Sequence, residues 1–345
     1  GVRQKATTAG TNFQVIHVGI SGRAADQPSI DDTVAESELP ANLANRNRGL
    51  DGRHGAQNAI QIAAQQTVLT GPHARQFVFG RLSAANDDSD AVFELVERDP
   101  CIPRQRLDVF TPAGGGEGLP VVAFVHGGGF VQGDKGGADA VFHNHFGAWA
   151  AREGFVGVTI TYRLAPEHQW PSGAHDMAAA VGWLKENAGR YGGDPARIVI
   201  VGQSAGGSHV ASYLAHPDTR ERAAASLAGA VLCSGVYDVV RAERTEQNAA
   251  YFGEDASRYP VMSSLEGLAE TPVRLALTVS ELEPAAFQRQ AAWAVERIVA
   301  AKGRWPAFFW LGGHNHVSPV LQIGTPHDDL GPRLAHLIAR LNAWS

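Results

Sequence analysis

VGQSAGG, residues 201–207, decides how this chain is read. The apolar run IVIVG at 198–202 stops at a glycine, a serine follows between small residues, and SHVASYLAH continues from 208 to 216. IVIVG is short and β-branched, so it reads as a strand buried on both faces, and SHVASYLAH reads as a helix. G-x-S-x-G alone also describes ordinary turns. Between a strand and a helix it fits a strained turn that holds the Ser204 hydroxyl out beyond the sheet, with glycines relieving the crowding. The helix N-terminus would favour negative charge developing there.

VVAFVHGGGF at 121–130 repeats the design, a buried run ending in small residues. Glycines after His126 leave backbone N–H groups uncovered by side chains, and a tetrahedral intermediate needs two or three such donors around its oxyanion. A serine hydroxyl cannot attack unaided, so a base and an orienting acid must follow. With this kind of turn the expected chain order is Ser, then Asp or Glu, then His. Glu281 and Glu283 follow the apolar run RLALTVS, and His314 and His316 follow AFFWLGG. Both pairs occupy loops beyond predicted strand ends, and either member of each pair fits its role.

Outward from these places the pattern is regular. RQRLDVFTP at 104–112, VVAFV at 121–125, VGVTITY at 156–162 and RIVIVG at 197–202 read as strands. Further strands fall within SLAGAVLCSG at 226–235, TPVRLALTVS at 271–280 and RWPAFFWLGG at 304–313. Helices are predicted between them, over AVFHNHFGAWAAREG, 172–192 and 285–303, and a last one closes the chain. Strands alternating with helices of this length imply an α/β fold with a mostly parallel sheet covered on both faces. Residues 22–56 are polar and lack periodicity, 59–69 reads as a short helix, and QFVFGRL at 77–83 as a strand. The expected organisation is an N-terminal extension over 1–72, partly irregular or disordered, and one large domain over 73–345.

Composition narrows the function classes. The 345 residues are 44% hydrophobic, with 29 Lys+Arg against 35 Asp+Glu and a net charge of −6. No basic cluster with interleaved aromatics points to nucleic acid. Cys101 and Cys233 have no metal-ligand spacing; they read as two free thiols or at most one bridge. His143 and His145, two apart, do not share a helix face, so no metal site is expected there. No run reaches the roughly 18 apolar residues of a membrane helix. The chain begins at Gly1, which reads as a processed or trimmed product, so the compartment stays open between cytoplasmic and secreted or periplasmic after signal removal. Oligomeric state is not legible.

From about residue 104 onward the chain resembles the α/β-hydrolase carboxylesterases related to hormone-sensitive lipase and the kynurenine formamidase-like esterases. The stretches that carry the resemblance are RQRLDVF, VHGGGF, YRLAPEHQWPSG, GGDPARI, GQSAGG, SELEPAAFQRQ and GHNHVS. It implies an α/β-hydrolase fold and serine chemistry without metal or organic cofactor. It assigns the nucleophile to Ser204, the acid to Glu283 and the base to His316, with oxyanion donors from Gly128, Gly129 and Ala205. The chain departs from the pattern at 283, where relatives mostly carry Asp.

The expected function is hydrolysis of small to medium apolar or aromatic carboxylic esters through an acyl-enzyme. The alternatives are amide or formamide hydrolysis with the same residues, or a non-catalytic binding protein on a hydrolase scaffold. Phe130, Val131 and Tyr237 are expected in the substrate pocket, near the aromatic residues Tyr251, Phe252 and Tyr259. His126 is expected to shape its loop, Arg163 and Asp176 to form a structural ion pair, and His168 and His175 to play no part in the site.

Overall fold

Val121, Ala123 and Val125 face one apolar cluster while Val122 and Phe124 face another, so the 121–125 run is buried on both sides with the two-residue alternation of a strand. This strand lies in a computed structural model that describes residues 104–136 and 142–342, together with the backbone of four earlier strands. Those four are β1 (Phe13–Gly19), β2 (Gln61–Thr67), β3 (Phe77–Ser83) and β4 (Asp90–Val96). Then follow β5 (Arg106–Pro112), β6 (Leu119–Val125), β7 (Val156–Ile160) and β8 (Gly193–Gln203). The last three are β9 (Gly229–Cys233), β10 (Arg274–Ser280) and β11 (Ala307–Leu311).

These strands form one sheet in the order β11-β10-β9-β8-β6-β7-β5-β1-β4-β3-β2. The strands from β6 to β11 pair parallel, and β5 runs antiparallel to β7. Helices cover both faces, as parallel strands require. On one side α1 (Asn144–Arg152) and α10 (Leu330–Asn342) contribute Phe146, Trp149, Leu334 and Ile338 to the core. On the other, α2 (Ser172–Asn187), α3 (Ala205–Ala215) and α8 (Ala285–Lys302) contribute Met177, Leu184, Val210, Leu214, Val295 and Ile298. β6 and β8 lie side by side at the centre, so the two glycine-ended strands deliver their loops to the same edge of the sheet.

The expected strands and helices of residues 104–342 are present. The helix expected over 59–69 is instead β2, paired antiparallel with β3 from Gln61↔Ser83 to Thr67↔Phe77. So short a run makes a marginal helix by itself, and a neighbouring strand supplies the backbone partners it lacks. β1 and β4, not anticipated from FQVIHVG and DAVFELV, pair parallel, and β1 joins β5. The 22–56 segment, the 72/73 boundary and Cys101 lie outside the described residues. Cys233 is a buried free thiol, its pKa raised to about 12 by burial.

Candidate active site

β8 ends at Gln203 and α3 begins at Ala205, which leaves Ser204 at the turn with φ 55° and ψ −119°. A non-glycine residue at positive φ costs on the order of 1–3 kcal/mol and persists only where packing dictates it. Here the Ser204 N–H donates to the Cys233 carbonyl at 2.8 Å, and the Ser204 carbonyl accepts from the Ser208 N–H at 3.0 Å. The flanking glycines permit the close approach. A Cβ on Gly206 would run into the carbonyls of Val125 and His126, and one on Gly202 would lie 2.5 Å from the Gly206 oxygen.

His316 Nε2 lies 2.9 Å from Ser204 Oγ, and His316 Nδ1 lies 2.9 Å from Glu283 Oε2. The Glu283 side chain is fully buried. Its Oε1 accepts from the Ser280 N–H at 2.8 Å and from Ser234 Oγ at 3.0 Å. A carboxylate held this way accepts the Nδ1 proton, which leaves Nε2 bare for the serine hydroxyl. The His316 loop is tied to the turn at Ser204 and to the loop of Glu283. Gln203 Nε2 donates to the His316 carbonyl at 3.0 Å, and the Leu282 N–H donates to the His314 carbonyl at 2.9 Å.

The other two candidates lie elsewhere. Glu281 is exposed and its Oε2 accepts from the Gly313 N–H at 2.7 Å, while His314 Nδ1 is 3.1 Å from Ser318 Oγ. Geometry therefore gathers Ser204, His316 and Glu283 and leaves Glu281 and His314 to brace the two loops.

Gly128 and Gly129 follow β6 with φ of +135° and +59°. A Cβ at Gly128 would collide with the Gln132 carbonyl, whose residue turns back to donate its N–H to the Gly128 oxygen at 3.1 Å. Among the described residues neither glycine N–H has an acceptor. Gly129, Ser204 and Ala205 border the same cavity. His126 shapes this loop as expected. Its Nδ1 is 2.6 Å from the Gly127 carbonyl oxygen and its ring stacks on Tyr162 at 4.4 Å. Burial lowers its pKa to about 3, so it stays neutral. Arg104 Nη2 donates to the Gly133 carbonyl at 2.6 Å, and a buried Lys135–Asp108 ion pair fastens the far end of the loop. Beside it, Asp176 accepts from the Arg163 backbone and from its Nε, both at 2.8 Å.

The cavity beside Ser204 has a volume of about 250 Å³. Phe130 lines it, but Val131 and Tyr237 do not. Tyr237 is buried in the core, where its Oη accepts from the Gly235 N–H at 2.9 Å and burial raises its pKa. Val131 packs against the cluster around Phe130, which also holds Tyr251, Phe252 and Tyr259. The sequence reading missed Phe287 and Trp293 of α8, which line the cavity, and Phe287 also stacks on His316 with ring centroids 4.0 Å apart. It also missed Ser234 and Ser280, which hold the Glu283 carboxylate. The available signal was the recurrence of Ala286, Phe287, Gln290 and Trp293 at helical spacing on a segment beginning just after Glu283-Pro284. Among the described residues no group of three or more His, Cys, Asp or Glu is arranged to hold a metal ion, and no helix is long and apolar enough to cross a membrane.

A family model described as BD-FAE matches residues 107–257. Carboxylesterase NlhH of Mycobacterium tuberculosis (strain CDC 1551 / Oshkosh) is 46% identical over 93 residues, 27% of this chain and 28% of that protein. Esterase LipI of Mycobacterium tuberculosis (strain ATCC 25618 / H37Rv) is 42% identical over 89 residues, 26% of this chain and 27% of that protein. The chain thus spans under a third of the length of these curated relatives. Among solved structures, a hyperthermophilic esterase from the archaeon Pyrobaculum calidifontis superposes with a TM-score of 0.56 at 22% identity, covering 69% of this chain and 79% of that one. Esterase B from Lactobacillus rhamnosis (HN001) gives 0.58 at 19% identity, covering 72% of this chain and 82% of that one. At such identities the structures speak to the fold alone. The fold is that of the α/β-hydrolases, and the resemblance to carboxylesterases related to hormone-sensitive lipase is borne out.

Proposed function

We propose that this chain hydrolyses carboxylic esters through a Ser204–His316–Glu283 triad and an acyl-enzyme. The observation that carries the reading is one continuous chain of contacts. A serine fixed at φ 55° meets the imidazole at 2.9 Å, and the same imidazole meets a buried carboxylate at 2.9 Å. His316 Nε2 takes the hydroxyl proton as Ser204 Oγ attacks the acyl carbon. Glu283 keeps the imidazole in the required tautomer and offsets the charge it acquires. The N–H groups of Gly128, Gly129 and Ala205 receive the oxyanion. His316 then gives its proton to the leaving alcohol, and water repeats the sequence on the acyl-enzyme.

The cavity walls favour an apolar or aromatic group on the ester, because Phe130, Val236, Phe287 and Trp293 line it. Kinetics with p-nitrophenyl acetate test the reading. Ser204→Ala is expected to lower kcat by at least about 10⁴-fold with the circular dichroism spectrum unchanged, the scale on which removing a triad serine acts. A folded Ser204→Ala variant that keeps wild-type turnover would overturn it.

A further inference from the structure

The cavity beside Ser204 has two walls, α8 on one side and the segment 236–248 on the other. Buried Gln290 joins them. Its Oε1 accepts from the N–H groups of Tyr237 at 2.8 Å and Asp238 at 2.7 Å, and its Nε2 donates to the Asp238 carbonyl at 2.9 Å. One buried amide making three bonds fixes the distance between the walls, since releasing it would strand polar groups away from water. The two ends of the cavity differ. Phe287 stacks on His316 and marks the reacting end. Trp293 lies six residues further along α8, a rise of about 9 Å, and borders the same cavity. Over the Trp293 ring sits the Arg241 guanidinium, 4.1 Å from its centroid. Arg241 is held there from behind, with both its Nε and its backbone N–H bonded to the Asp238 carboxylate.

We infer that Arg241, seated on Trp293, closes the distal end of the cavity and sets the longest apolar group an ester substrate can carry. The inference rests on the ester-hydrolase reading. Methylenes between Phe287 and Trp293 leave water for apolar surface and gain affinity. The first one to reach Arg241 meets a cation already engaged with an indole face and a carboxylate, and displacing it breaks both contacts. Binding therefore improves with length until the stopper is reached and then reverses. Arg241 and Trp293 act here as specificity residues, remote from the reacting atoms.

Two substrate series on the purified chain test this: p-nitrophenyl esters from acetate to decanoate, and acetates of alcohols from ethanol to decanol. For the wild type, kcat/KM should rise and then fall with length in the series whose variable group enters the cavity. In Arg241→Ala and Trp293→Ala the ratio of kcat/KM for the longest ester to that for the shortest should rise in that series by at least about tenfold, through KM, as a pocket that has gained room permits. An unchanged or lower ratio in both series for folded Arg241→Ala overturns the inference. Arg241 is half-exposed, so this variant decides alone if Trp293→Ala does not fold. Absence of any Ser204-dependent hydrolysis by the wild type is a different result: it overturns the ester reading and this inference with it.

Discussion

The two sides of the cavity are built by different means. At the reacting end the groups are fixed by backbone: a strained serine, glycines packed against carbonyl oxygens, and loops tied through Gln203, Leu282 and Ser280. At the distal end, beyond buried Gln290, the walls meet through exposed cations, Arg241 on partly buried Trp293 and Arg289 with Glu243 at 3.2 Å. Backbone geometry admits few substitutions, whereas exposed ion pairs contribute little individually and can be exchanged. Under the proposed ester hydrolysis, the difference means that the chemistry is rigidly specified and the choice of substrate is adjustable. Changes at the reacting end should therefore act on kcat, and changes at the distal end on KM and chain-length preference.

The largest expected effect that sharpens this contrast is at Glu283. Glu283→Gln should lower kcat by about 10²–10⁴-fold, because a neutral amide neither fixes the tautomer nor offsets imidazolium charge. Next is Gly128→Val, expected to lose about 10²–10³-fold in kcat, the scale of one missing oxyanion donor. The added side chain would collide with the Gln132 carbonyl and displace the loop. Steady-state kinetics on folded variants check both, and a mild loss in kcat with a large rise in KM at either position would break the contrast.

A smaller effect concerns the floor beneath the Ser204 turn. His209 is buried among Phe130, Tyr162 and Tyr251, and neither ring nitrogen has a hydrogen-bond partner among the described residues. Burial lowers its pKa to about 3, against an ordinary 6.5. The unfolded chain then binds one more proton than the folded chain between these values. The stability it contributes is complete above pH 6.5 and is lost as pH falls toward 3, at about 1.4 kcal/mol per pH unit. His126, also near 3, adds the same slope. In His209→Leu the slope of unfolding free energy between pH 6 and pH 4, from urea titrations, should fall by about 1.4 kcal/mol per pH unit. An unaltered slope would show that His209 does not stay neutral in the fold. The smallest effect belongs to Glu281→Gln, whose kcat should stay within about tenfold of wild type, as for a carboxylate that only braces a loop.

What was legible in the sequence follows the same division. IVIVG and VVAFV announce strands because burial on both faces demands continuous apolar residues, and their glycines announce the turns. Ser204, Gly128 and Gly129 were readable because their backbone conformations restrict residue type. Glu283 and His316 could be told from Glu281 and His314 only by resemblance, since two residues' difference in a loop fixes no direction without coordinates. Phe287 and Trp293 were not read because a helix face shows its periodicity and not its neighbour, and Arg241 because it lies in an irregular segment with no pattern of its own. Tyr237 misled for the same reason: an aromatic in a segment expected to border the site turned inward to the core. β2 was misread because its partner strand, and not its own propensity, determines its state.

The proposed triad makes Ser204 the activated nucleophile. Intact-mass analysis after incubation with a serine-directed organophosphonate tests it most directly. A single adduct per chain is expected, mapped to Ser204 by peptide analysis and absent from Ser204→Ala. An adduct on any other residue, or equal labelling of Ser204→Ala, would contradict it.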